Sequence, residues 1–186
     1  AGADIMTGGL GADTFKVDSG SDIIVDLGGS GSGGENDVLI VSSGATATAT
    51  NIVNFTATGT STRNDGTANL TAKASTNATI NVSASAAGLY TITGNDGDDR
   101  LTGGSGNDII NGADGADIIS GGAGNDNISG GAGNDNFTGG DGNDTFNVND
   151  GTDTITDLSD GDILKITAGN TANATGISGF TATSAT

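Results

Sequence analysis

The 186-residue chain has no cysteine, histidine, proline or tryptophan. Without cysteine and histidine, zinc, iron–sulfur and haem sites of the usual kinds are excluded. So are Ser-His-Asp and Cys-His nucleophiles, and no disulfide can form. Basic residues are scarce, 5 against 23 acids, for a formal charge of −18. That balance argues against nucleic acid or an anionic membrane as a partner. No apolar run approaches the roughly 18 residues of a spanning helix, and no secretory signal pattern is visible in the first residues. Membrane insertion is therefore not expected. Aromatics make up only 3%, and 35 residues are glycine, so a conventional globular core is hard to build. Glutamate is nearly absent too: every acid except Glu35 is aspartate. A generic solubilising surface mixes the two, so the bias points to turns and short-armed ligands.

What the chain does have is a register. Residues 94–156 read as seven consecutive nine-residue units: GNDGDDRLT, GGSGNDIIN, GADGADIIS, GGAGNDNIS, GGAGNDNFT, GGDGNDTFN and VNDGTDTIT. Position six is Asp throughout: Asp99, Asp108, Asp117, Asp126, Asp135, Asp144 and Asp153. Position eight is always large and apolar: Leu101, Ile110, Ile119, Ile128, Phe137, Phe146 and Ile155. Position nine is small and polar. The tail of each unit alternates as a short half-buried strand does. Its head is glycine-rich, which tolerates positive φ and lets backbone carbonyls converge. A disordered Gly/Asp linker would share the composition, but it needs no apolar residue at every eighth position.

A strand and a turn every nine residues give two units per coil, so the turns of units n and n+2 stack on one edge. Stacked strands lie about 4.8 Å apart. Two bare carboxylates at that spacing repel by roughly 3 kcal/mol at an effective dielectric near 20. A column of them needs a hard divalent cation between successive turns. All-oxygen ligation in flexible geometry suits Ca²⁺ better than Mg²⁺. Seven units give up to five complete sites, and a sixth if residues 157–165, a degraded eighth unit carrying Asp162 and Leu164, take part.

The N-terminal segment repeats the pattern. GGLGADTFK begins at Gly8 and VDSGSDIIV at Val17, placing Asp4, Asp13 and Asp22 at position six. Asp4 with Asp22 forms a further candidate pair. A longer repeat is also present. TFKVDSGSDIIVDL, from Thr14, matches TFNVNDGTDTITDL, from Thr145, at an offset of 131. Asp37-Val38-Leu39 matches Asp162-Ile163-Leu164, and NFTAT from Asn54 matches GFTAT from Gly179, both at an offset of 125. A Gly-rich insertion at 28–36 accounts for the difference. The chain reads as about one and a half copies of a tandem module from a longer parent.

Residues 41–92 differ. They hold one acid, Asp65, and two bases, Arg63 and Lys73, in a Thr/Ala/Asn/Ser-rich background. Ile52-Val53-Asn54-Phe55, the segment from Ala78 to Val82 and the segment from Leu89 to Ile92 read as strands. The expected organisation has four parts. Residues 1–40 end a first roll. Residues 41–92 form a β-rich spacer stacked on the roll, with a separate small β domain as the alternative. Residues 93–165 form a second roll. Residues 166–186 start another spacer, parts of which are expected to be loose or paired with another chain. Thr46, Thr48 and Thr50 form a short threonine row of the kind an ice-binding face uses, but the rolls lack Thr at position three.

The in-register units resemble the RTX (repeats-in-toxin) family of secreted bacterial proteins, over residues 1–25 and 94 to about 165. The resemblance implies an all-β fold, a right-handed parallel β-roll. It also implies type I export to the cell exterior and folding on external calcium. Its ligands carry over to the position-six aspartates and to backbone carbonyls of the turn glycines. Those glycines are Gly94 and Gly97; Gly103, Gly104 and Gly106; Gly112 and Gly115; Gly121, Gly122 and Gly124; Gly130, Gly131 and Gly133; and Gly139 and Gly142. Asp96, Asp114, Asp141 and Asp150 at position three are either further ligands or solvation of the edge. Asn95, Ala113 and Asn149 replace the second glycine and Val148 the first, which departs from the family pattern. The expected role is a non-catalytic structural module that self-associates in a surface layer or filament. An adhesin stalk and the C-terminal roll of a secreted enzyme are the other two readings; the upstream histidine motif or serine triad of such an enzyme is missing from these residues.

Overall fold

The computed structural model describes residues 2–25, 27, 37–57, 63–85, 88–159 and 161–179. Among them there is no helix, and every strand pairing is parallel. The chain is a β-solenoid of about eight turns. One nine-stranded sheet runs its length, in the order Ile5–Met6, Ser21–Ile24, Thr46–Ile52, Thr67–Ala72, Leu89–Asn95, Ile109–Asp114, Asn127–Ala132, Thr145–Val148 and Ile163–Ile166. Facing it is a seven-stranded sheet: Asn54–Thr56, Thr79–Asn81, Arg100–Thr102, Ile118–Ala123, Asn136–Asp141, Thr152–Ile155 and Thr171–Ala174. A three-stranded sheet, Thr14–Val17, Val38–Val41 and Arg63–Asn64, completes the N-terminal coils.

The repeat period sets the coil length in the roll. Ile92, Ile110, Ile128, Phe146 and Leu164 are successive ladder partners, each separated from the next by two repeat units. The spacer takes longer steps between partners, from Ala47 to Ala68 and from Ala68 to Tyr90. The nine-stranded sheet nevertheless passes through the spacer without a break, because Thr67–Ala72 pairs with strands on both sides. A single column of buried apolar side chains follows it, from Phe15 through Leu70, Ile92 and Ile128 to Leu158. Positions six and eight both point inward, so each unit buries an Asp and a large apolar residue while position seven faces out. Phe137 and Phe146 stack in this column, with ring centroids 6.3 Å apart and planes at 22°.

The structure sharpens three readings of the sequence. Residues 52–55 are not one strand: Thr46–Ile52 lies in the nine-stranded sheet and Asn54–Thr56 in the seven-stranded one. The chain turns the corner at Val53, after a register shift and a positive φ of 61° at Asn51. Residues 171–174 are not loose; they pair with Thr152–Ile155 of their own chain. The threonine row is carried on only in part across the sheet, Thr46 pairing with Thr67 but Thr48 with Asn69. The insertion at 28–36 and residues 180–186 lie outside the described residues. No helix among the described residues is long and apolar enough to cross a membrane.

Candidate metal centre

Each glycine-rich head makes the turn that joins one sheet to the other. Position four takes positive φ in Gly115, Gly124, Gly133, Gly142 and Gly151, between 103° and 140°. A side chain there would meet the carbonyl of the turn one coil below; for Gly133 that carbonyl is Gly115's. Position one is constrained from above. A Cβ on Gly112 would overlap both the Asp117 carboxylate and the Gly130 carbonyl, and Gly121 stands likewise toward Asp126 and Gly139. Glycine therefore keeps space open for a carboxylate oxygen and a carbonyl oxygen to lie side by side.

The position-six aspartates bind the coils together through one oxygen. Asp117 Oδ1 accepts the backbone N–H of Asp99 at 2.7 Å, and Asp126 Oδ1 that of Asp108 at 2.7 Å. The pattern continues with Asp117 donating to Asp135, Asp126 to Asp144, Asp135 to Asp153 and Asp144 to Asp162, at 2.8–3.1 Å. A second ladder runs the other way at position five. Asn107, Asn125 and Asn134 accept from the backbone of Asn125, Asn143 and Thr152 at 2.8–2.9 Å, and Asp98 accepts from Ala116. This ladder went unread in the sequence, although an Asn recurs at position five in four of the seven units.

The other oxygen of these aspartates is the unusual group. Among the described residues, the buried side-chain oxygens without a hydrogen-bond partner are Oδ2 of Asp117, Asp126, Asp135, Asp144 and Asp153. Each residue is at most 2% exposed. Buried polar groups are nearly always paired, and an isolated buried carboxylate is far more costly than an unpaired neutral group. Burial accordingly pushes Asp117 and Asp126 up to about 7, and Asp108 and Asp135 up to about 6, against partial relief from the backbone N–H donors. Asp99, Asp144 and Asp153 are raised for the same reason. No three acidic side chains among the described residues converge closely enough to hold a metal on their own. The donor set is thus carboxylate plus backbone carbonyl, all oxygen, which suits a hard cation of flexible coordination such as Ca²⁺.

The family model for the RTX calcium-binding nonapeptide repeat, in four copies, matches residues 1–25, 93–128 and 120–155. Those segments are RTX calcium-binding repeats. RTX repeats bind Ca²⁺ at many sites, and the orphaned oxygens and the glycine-cleared space beside them fit that ion. No curated protein and no solved structure matches the chain.

The structure distributes the remaining candidates unevenly. Asp22 is buried, and its Oδ1 accepts from Asp4 N–H at 3.1 Å, whereas Asp4 itself is exposed. Asp13 donates its N–H to Asp37 Oδ1 at 3.0 Å, which puts buried Asp37 at position six of the next coil. The sequence holds that signal in the match of Asp37 to Asp162. Asp162 Oδ2 is already occupied, accepting from Ser159 N–H at 2.7 Å. Beside it Asp157 grips Gly139 and Gly140 N–H with its two oxygens, at 2.9 and 2.8 Å. Asp96, Asp114, Asp141 and Asp150 are exposed, outside the buried column. Lys16 pairs with exposed Asp18 at 3.1 Å, a surface link of little energetic weight.

Proposed function

We propose that this chain is a non-catalytic structural module of an extracellular assembly, a bacterial surface layer or filament, which calcium folds and stiffens. RTX repeat domains are typically secreted, calcium-dependent structural units, and this reading extends that role to the whole chain. The observation that carries it is continuity: one nine-stranded sheet and one apolar column include the repeats and the Thr/Ala-rich spacer alike. A tandem module of that construction makes a rod, and a rod suits a lattice or fibre more than a globular head. The boundaries proposed for its parts are those of the composition: 1–40, 41–92, 93–165 and 166–186.

Calcium addition to purified chain, followed by light scattering and electron microscopy, tests the reading. Ordered arrays or filaments support it. A calcium-loaded chain that stays monomeric while binding a glycan or host surface would favour an adhesin stalk instead.

A further inference from the structure

The seven position-six aspartates fall into two classes. Five have an orphaned Oδ2, but the first two do not. Asp99 Oδ2 accepts the N–H of Asn95 at 2.8 Å, and the Asn95 side-chain amide lies 3.3 Å from both Asp99 oxygens. Asp108 Oδ2 accepts the N–H of Gly104 at 2.7 Å. The backbone follows this division in six of the seven units. Position two has positive φ in Ala113, Gly122, Gly131 and Gly140, at 84–114°, but not in Asn95 or Gly104; Asn149 in the last unit lacks it too, yet donates nothing to Asp153 Oδ2. Here the position-two N–H is aimed at the carboxylate, while in the later turns the same carboxylate oxygen receives no donor.

The same coil is tied to the spacer rather than to the roll alone. The Asn95 amide donates to Thr76 O at 2.8 Å, while its Oδ1 accepts from Gly97 and Thr76 N–H at 2.9 and 3.3 Å. Asp99 Oδ1 accepts from Ala78 N–H at 2.7 Å, and Asp108 Oδ1 from Tyr90 N–H at 2.9 Å. The Tyr90 ring is fully buried, and its hydroxyl is 2.6 Å from Ser85 Oγ. N–H groups thus satisfy here the carboxylate oxygen that is left without a partner in the later coils.

We propose that coil 94–108 is a calcium-independent seed, in which the Asn95 carboxamide and the Gly104 N–H replace the cation, and that the calcium ladder begins at Asp117. The seed folds with the spacer, and calcium then stacks the remaining coils on it. This rests on the calcium column, not on the lattice reading, and it assigns Asn95 a positioning role toward the metal ladder.

The test is NMR-detected amide hydrogen exchange on the full chain, in saturating calcium and in excess EGTA. In EGTA the amides of Ala78, Tyr90 and Arg100, which donate to Asp99, Asp108 and Ala78 O, are expected to exchange at least tenfold more slowly than those of Asp117, Asp126 and Asp135. In calcium all six are protected. Equal loss of protection at all six in EGTA would overturn the seed. Equal retention would overturn the calcium column itself. Asn95→Gly restores the repeat consensus; it is expected to remove the EGTA protection of Ala78 and Arg100 at least tenfold while calcium still protects Asp126. Unchanged protection at Ala78 in that variant would also refute the proposal.

Discussion

The spacer and the roll share one sheet and one apolar column, yet they close their turns by different means. The spacer spends more chain on each coil and fills its interior with Ala45, Ala47, Ala49, Ala68, Leu70 and Ile80. Its buried polar side chain at a corner, Asn64, is neutral and satisfied, donating to Leu89 O at 3.0 Å and accepting from Gly66 N–H at 3.1 Å. The roll completes each coil with only two repeat units and buries an ionisable carboxylate at every turn. One large apolar residue per unit contributes about 1.5–3 kcal/mol. Ordering the backbone of a unit costs about 1 kcal/mol or more for each of its residues. The comparison teaches that a solenoid coil this short is held by what sits in its turns, and that the turn chemistry decides whether a region needs metal.

The largest expected effect comes from removing calcium. In excess EGTA the roll beyond coil 94–108 is expected to lose its β signal in circular dichroism, while signal from the spacer persists. Retention of the full β signal would erase the distinction between the two regions.

Single rungs sharpen it. Asp135→Asn keeps an oxygen for the Asp117 N–H but takes one carboxylate from the ladder. We expect at least one fewer bound calcium ion and a loss of about 2–3 kcal/mol in calcium-loaded stability, the linkage of a site held near 100 times its dissociation constant. A matching loss in EGTA would mark Asp135 as a packing residue instead. Chemical denaturation in both buffers measures the two values.

The glycines separate the regions on backbone grounds. Gly133→Ala meets both a φ of 136° and the Gly115 carbonyl, whereas Gly44→Ala in the spacer meets a φ of 78° and open space. Strained backbone positions cost about 1–3 kcal/mol each. Gly133→Ala is expected to reach or exceed the top of that range and Gly44→Ala to sit near the bottom, by thermal melts in calcium. Equal losses would show that the stacked carbonyls do not define the turn.

The smallest effect is with pH, in EGTA. The folded-state pKa values of Asp117 and Asp126 are raised to about 7, and those of Asp108 and Asp135 to about 6, from an ordinary 3.8. A group raised on folding stabilises the fold fully below its unfolded value and loses that contribution as pH rises through the folded value. In EGTA the roll is therefore expected to recover β signal at pH 4.5 that it lacks at pH 8, with the change spread between about 4 and 7. With calcium the dependence reverses, because protonation competes with the ion. The spacer, with Asp65 its one acid, is expected to change little.

Much of this architecture was legible in the sequence, for physical reasons that also set the limit. The glycine spacing and the Asp–x–apolar alternation fix the repeat period, and an invariant period is a coil length; Asp99 to Asp153 stack as that period requires. The spacer has no such punctuation, so Thr67–Ala72, a central strand, and the corner at Val53 were not visible. The two classes of aspartate were hidden as well. Asn95 stands in the sequence as a flaw in the glycine pattern, and only the direction of its amide, toward Asp99 and Thr76, shows that it completes a turn. Gly104 matches the consensus, yet its backbone differs from that of Gly122 or Gly131; it lies over the Tyr90 ring and the Val82 carbonyl, where they lie over Gly104 and Ala113.

The most direct measurement is a calcium titration of the purified chain by isothermal calorimetry, with circular dichroism followed over the same range. The account predicts at least five ions per chain, taken up cooperatively, with the β signal of the roll rising in step. A roll already complete in chelator, taking up no calcium when it is supplied, would contradict it.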